Sequence, residues 1–477
     1  MKKLLAILLV GSIASFTACE DMEFLNPKPE DRITAEVALS DLDGAAAHIA
    51  KAFERTHFFG NYGQTMMLNP DALADNVDLL NNTGRYVGQL VNQVRNHTNI
   101  YSSYYQMIND VQIALSAVED FRDDDPARAA ILEGQAKFVR GLAYFDLARV
   151  YGYEPGQEVG GFNLAVPIQP EAVLGTSNIS ELERATNVEV YTMVKADLLD
   201  AVNLLPAESA EGNFPYLPTS TSAKALLARV YLYEGSYAQA ATTAEQVLAE
   251  TSATLTDVTN HVASWETVQH PEAIFSLNIN QVDWSSVDGV NNSLASMTNT
   301  DDPSRGLNSS QGVLRASTTL LDELDAEPND IRRDLWVNPT GADNWEARKW
   351  VGEQGNFLEH IPIIRVAEMV LTAAEGHARS GNATGARTQL NVLRNARGTG
   401  DFGGTDAQLA DEILRQRRME LVLEGHRFHD LKRLGMDIPK APAQGGVPVQ
   451  YTDFRVLSNI PDGAISNNSL LEQNPGY

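Results

Sequence analysis

The stretch 225–248 reads A-L-L-A-R-V-Y-L-Y-E-G-S-Y-A-Q-A-A-T-T-A-E-Q-V-L, and it restricts the fold more than any other part of the chain. Leu227, Ala228, Tyr231, Gly235, Tyr237, Ala240, Ala244 and Val247 stand at the spacing of two helices joined by a tight turn. The small residues let the helices approach closely, the aromatics fill the groove between neighbouring pairs, and Gly235 relaxes the turn. A helix pair of this kind cannot bury its faces alone, so it stacks against others.

Other segments repeat the pattern. A weaker copy runs over 365–394, with Ala374, His377, Gly381, Ala386, Leu390 and Leu393 in equivalent roles, and a last hairpin partner is expected over 406–434. Upstream, Tyr105, Ile108, Val111, Ala114, Leu115 and Val118 line one face of a helix over 101–121. Asp123, Asp124, Asp125 and Pro126 break it and can cap the next helix, over about 127–151. The reading is an all-α fold of tetratricopeptide-like helical-repeat pairs, at about 100–250 and 362–435.

Between the repeats, 251–361 is rich in Asn, Ser, Asp, Gly and Pro, with a strand-like run at 273–279. All five tryptophans lie there: Trp265, Trp284, Trp336, Trp345 and Trp350. A loop-rich insert of this length is usually functional. The tail from 441 to 477 is again irregular. We therefore expect one α-dominated unit over 31–477, with a loop-rich, irregular ligand-binding face.

The N-terminus reads as an address. Lys2 and Lys3 precede an apolar run from Leu4 to Val10, and small and polar residues lead to Thr17, Ala18 and Cys19, the layout of an export signal over 1–18. The apolar run is too short for a permanent membrane span. Cys19 is the sole cysteine, so an internal disulfide is impossible. Its place at the signal boundary resembles a bacterial lipobox, in which the thiol is acylated, and several acyl chains at about 0.8 kcal/mol per buried methylene would anchor it stably. Residues 19–30, with Pro27 and Pro29, read as a lipidated tether. Against 36 Lys and Arg stand 63 Asp and Glu, for a formal charge of −27. That field repels phosphate backbones, so nucleic acid is not an expected partner.

Several motifs in order resemble the SusD/RagB family. Gly134-Gln135-Ala136-Lys137-Phe138-Val139-Arg140-Gly141-Leu142-Ala143-Tyr144-Phe145, ending in Val150-Tyr151-Gly152, is similar to its signature helix, and Ala165-Val166-Pro167 to the exit from it. Arg184-Ala185-Thr186 with Val190-Tyr191 and Asp197-Leu198 is similar to the next helix. Arg365-Val366-Ala367-Glu368 with Ala373-Ala374-Glu375 resembles the R-x-x-E…A-E motif. Arg417-Arg418-Met419-Glu420-Leu421, Glu424-Gly425-His426-Arg427 and Asp430-Leu431-Lys432-Arg433 resemble the family's most recognisable stretch, and Asn474-Pro475-Gly476-Tyr477 its close. The resemblance implies a surface-exposed, lipid-anchored outer-membrane lipoprotein. It would sit as a lid on a SusC-like TonB-dependent transporter and capture glycans, or sometimes peptides.

The motif residues Arg418, Glu420, Glu424, Arg427 and Asp430 are read as a structural ion network locking the last repeat, Glu424–Arg427 and Arg427–Asp430 being three apart. His426, His429 and Asp430 could meet as metal ligands, but the motif accounts for Asp430, and no metal or other cofactor is expected. Gly398-Thr399-Gly400-Asp401-Phe402-Gly403 satisfies G-x-G-x-x-G without a strand before it, and so reads as a loop. No carboxylate pair stands out as an acid–base pair in so acidic a chain, and no catalytic residue is assigned.

The aromatic candidates remain. Sugars stack flat C–H faces on rings while amides and guanidinium groups bond the hydroxyls. Trp284, Trp336 and Trp345 lie among polar residues and are assigned as stacking rings, with Asn82, Arg85 and Tyr86 as polar or rim contacts. The expected function is non-enzymatic glycan capture for a transporter. A peptide-binding member of the same type and a surface glycoside hydrolase are the alternatives.

Overall fold

The computed structural model describes residues 41–477 apart from 94, 96, 176–179, 211 and 340. The expected signal segment, the tether and Cys19 lie outside the described residues. The helices that organise the first part are α1 (Leu42–His57), α2 (Thr65–Ala72), α3 (Tyr101–Asp120), α4 (Pro126–Tyr151), α5 (Asn187–Leu204), α6 (Ser220–Glu234) and α7 (Tyr237–Glu250). After the insert, which carries α8 (Thr318–Asp325), come α9 (Val366–Arg379), α10 (Ala383–Ala396), α11 (Leu409–Glu420) and α12 (Arg427–Arg433).

Their ends follow local chemistry. The Asp125 carboxylate accepts from the Arg128 backbone N–H, with Pro126 in the first turn, where a missing N–H costs nothing. Thr186 and Glu189 close a capping box on α5. Successive helices pack as neighbours: α1 on α3, α3 on α4, α4 on α5, α5 on α6 and α6 on α7. The stack continues from α7 to α9 across the insert, then from α9 to α10 and α11. Gly376 permits the α7–α9 step, because a Cβ there would stand 2.5 Å from the Tyr237 carbonyl oxygen.

The expected helix over 406–434 is broken. After α11 the chain leaves helical geometry at 421–426, with Leu423 at φ 63° and Gly425 at φ 83°, and resumes as α12. A Cβ on Gly425 would overlap the Met66 carbonyl, so only glycine lets this turn lie against α2.

The strands are short antiparallel pairs. β1 (Val77–Leu79) pairs with β3 (Leu314–Ala316), β2 (Ala273–Leu277) with β6 (Ile361–Arg365), and β4 (Trp336–Val337) with β5 (Glu346–Ala347). The expected strand at 273–279 is β2, buried along its length.

Buried charges fasten the insert to the repeats. Arg365 donates to Glu272 at 2.9 Å, Glu420 at 2.7 Å and Glu424 at 2.6 Å, and Arg397 also bonds Glu272 and Glu420. The ion network expected of the motif residues is present, but apart from Asp430–Arg433 its partners lie farther along the chain than one helical turn. Arg427 pairs with Asp75, Arg418 with Asp75 and Glu323, and Asp430 with Arg417 and Arg433. Glu424 and Arg427 do not pair with each other: the break at 421–426 removes the helical spacing that would have joined them.

Candidate ligand-binding face

The loop after β1 lies on the segment leading into β3. The Leu80 N–H donates to the Val313 carbonyl at 2.7 Å, the Asn81 amide to the Gly312 carbonyl at 2.9 Å, and the Arg85 guanidinium to the Gln311 amide oxygen at 3.1 Å. β3 passes the connection on, for the Ala316 N–H donates to the Trp345 carbonyl at 2.9 Å. Arg315 bonds Asn344 at 3.2 Å, and the Arg333 guanidinium stands 3.9 Å from the Trp345 ring centroid. Arg333 is itself held by Asp325 at 2.7 Å. Asn82, Arg85, Arg315, Asn344 and Trp345 thus belong to one hydrogen-bonded surface built from distant parts of the chain.

This surface stores backbone strain. Tyr86 (φ 60°), Ser309 (φ 69°) and Asp343 (φ 55°) are left-handed without being glycine. Such residues cost roughly 1–3 kcal/mol each and gather where a surface is shaped for binding.

The assigned residues divide. Asn82 is exposed, its side-chain oxygen accepting from the Gly84 N–H at 3.2 Å, and Arg85 is half-buried. Trp345 is half-buried under Arg333. Trp336 is only 5% exposed and belongs to the main apolar core, so the expected stacking role fails for want of a free ring face. Tyr86 is 7% exposed; burial pushes its phenol above the usual range against the opposing charge of Arg85, and it supports the loop from beneath rather than forming a rim. Trp284 is half-buried in a different part of the insert, 6.5 Å from the Phe357 ring and seated over Gly289. That segment abuts the end of α1, where Phe59 N–H donates to the Ser286 carbonyl at 2.9 Å and His57 meets Asp283 at 2.9 Å. Trp265 and Trp350 are buried edge to face, 5.4 Å apart.

The groups set aside in the sequence are absorbed by the structure. His426 and His429 are buried, which drives both imidazoles well below their usual range, and Asp430 is taken up by Arg417 and Arg433. Among the described residues no His, Cys, Asp and Glu cluster could hold a metal ion. Residues 398–403 form the loop after α10. No described helix is long and apolar enough to cross a membrane.

Sequence reasoning missed a groove between α1 and α3. Two adjoining cavities, of 560 and 760 Å³, share Lys51, Arg55, Asn99, Ser102 and Gln106. At its floor Asp110 binds Lys51 and Arg55, each at 2.8 Å, and His48 at 3.3 Å. Burial alone would raise the Asp110 carboxyl, but bonds from these three groups hold it at about 2. The signal that could have revealed the groove is the polar spacing Lys51, Arg55 on one helix and Ser102, Gln106, Asn109 on another.

A family model described as starch-binding and associating with the outer membrane matches residues 30–232, and a SusD family model matches residues 346–477. Trp284, Trp336 and Trp345 fall between the two matches. The SusD-like protein P2 of Formosa agariphila is 27% identical, the match covering 78% of this chain and 79% of that protein. A SusD superfamily protein of Bacteroides vulgatus has a TM-score of 0.81 at 25% identity, covering 92% of this chain and 99% of that one. A SusD-like carbohydrate binding protein of the same organism has a TM-score of 0.76 at 20% identity, covering 90% and 97%. With its stacked helix pairs, its motifs and these likenesses at both ends, the chain is a member of the SusD/RagB family.

Proposed function

We propose that the chain captures an oligosaccharide or polysaccharide at the outer membrane and passes it, chemically unchanged, to a SusC-like TonB-dependent transporter. The observation that carries the reading is the strained, hydrogen-bonded surface that runs from Asn82 and Arg85 along β3 to Arg315, Asn344 and the half-buried Trp345. Amides and guanidinium groups around a ring suit hydroxyl-rich ligands. The family description as starch-binding and the carbohydrate binding relative of like fold support it. Trp345, Asn82 and Arg85 contact the ligand, and Trp284 adds a ring beside α1. Acylated Cys19 anchors the chain at the cell surface, residues 1–18 are removed as a signal peptide, and 31–477 is a single SusD-like domain behind the tether.

Affinity gels containing starch, laminarin, xylan or alginate test the reading, with the full chain carrying Cys19→Ala. Retardation by one polysaccharide, without release of sugar and weakened about tenfold by Trp345→Ala or Arg85→Ala, is expected. Retention of peptides with no retardation by any polysaccharide sinks the saccharide reading. Sugar release points to a hydrolase instead.

A further inference from the structure

The groove between α1 and α3 is not part of the face around Trp345. It is built from two helical ladders. Along α1, Lys51 and Arg55, then Phe58 just past its end, follow at steps of four and three residues, and along α3, Ser102, Gln106 and Asn109 do the same. Each ladder spans about 10 Å, with a step of roughly one helical turn, about 5.4 Å. That step is comparable to one pyranose unit of an extended polymer.

The lining is organised but not saturated. Asp110 orients both cations, and Gln106 accepts from Arg55 at 2.8 Å, so Arg55 is held by two partners. Among the described residues, the Ser102 hydroxyl, the Asn99 side chain and the Gln106 NH2 make no hydrogen bond within the protein. Lys51 and Arg55 are balanced by Asp110 and Glu54, so the groove is close to neutral in a chain of formal charge −27. At the end beside Ser286, Phe58 is 39% exposed and tilts against Phe59 at 4.4 Å, an aromatic platform for a sugar face. The walls are helices and loops, so an extended peptide finds no strand edge to pair with.

We infer that this groove is a second saccharide site, taking a neutral, hydroxyl-rich stretch of the polymer engaged at the face; this rests on the saccharide reading above. Two sites on one polymer convert the second contact into an intramolecular one and raise retention without any new chemistry.

Calorimetry of the full Cys19→Ala chain tests it, using oligosaccharides cut from whichever of starch, laminarin, xylan or alginate retards the chain. Two equivalents are expected. The double variant Ser102→Ala/Gln106→Ala, at two exposed positions, should bind one, melt at an unchanged temperature, and lose about tenfold in retention by the intact polymer. A single equivalent that Ser102→Ala/Gln106→Ala leaves untouched and Trp345→Ala removes overturns the groove and leaves the face intact. A single equivalent removed only by the groove variant overturns the two-site arrangement and moves capture to the groove. No retardation by any of the four overturns both readings.

Discussion

Replacing Arg365 by Met tests the buried charge cluster that joins insert and repeats. Arg365 is 1% exposed and bonds three carboxylates, Glu272, Glu420 and Glu424, as well as the Glu420 carbonyl at 2.8 Å. Arg397 and Lys349 supply further cations, and Arg332, itself paired with Asp330, reaches Glu420 at 3.5 Å. With Asp330 counted beside Arg332, four cations facing four carboxylates become three facing four. Met nearly preserves volume, so the cost is chiefly one uncompensated buried carboxylate, about 3–5 kcal/mol. Against a total stability of roughly 5–15 kcal/mol, that is a large share. Urea unfolding followed by tryptophan fluorescence measures it, Trp265 lying 5.6 Å from the Arg365 guanidinium. The loss should also depend on pH. In the parent, burial would raise the Glu420 carboxyl, but Arg397 and Arg365 hold it well below its usual range, a contribution present above the unfolded pKa and lost in acid. In the variant an unpaired carboxylate has its folded pKa raised, so its penalty is absent at low pH and grows as pH rises. The gap between parent and variant should therefore narrow between roughly pH 7.5 and pH 5, by about 1 kcal/mol or more. A loss below about 1 kcal/mol, or a gap equal at both pH values, would contradict an uncompensated buried carboxylate.

Glu359 carries the opposite sign. Burial raises its carboxyl from 4.5 to about 7, against backbone bonds from Ala295 and Leu294, so its stability contribution is full below about 4.5 and lost as pH rises through 7. Glu359→Gln should flatten the stability profile between about pH 5 and 8, removing on the order of 3 kcal/mol of variation; an unchanged profile in denaturant titrations refutes this. Gly376→Ala should destabilise by about 1–3 kcal/mol, because the α7 backbone at Tyr237 cannot yield as a side chain could, and a neutral result in urea would contradict the close approach. Trp336→Ala should cost about 3–5 kcal/mol in unfolding experiments, as a core truncation; a substitution that changes only binding would return Trp336 to the surface.

The helix pairs, and several of their ends, were legible along the chain. Small and aromatic residues at 3.6-residue spacing specify α6 and α7 locally, and Asp125-Pro126 specifies the start of α4, because both are short-range effects of sterics and backbone hydrogen bonding. The motif charges were legible as a network, but their partners were not: Arg427 finds Asp75, and Arg365 finds Glu272, across long stretches of chain. The break at 421–426 was hidden for the same reason, since it is set by the Met66 carbonyl lying against Gly425. In the insert, polar neighbours along the chain did not reveal that Trp336 turns into the core while Trp345 stays half-buried beneath Arg333. Burial of a loop residue is decided by which distant surfaces pack on it, and the groove between α1 and α3 exists only once those two helices lie side by side. Local propensity therefore set the elements, and the faces available to a ligand were decided by tertiary packing alone.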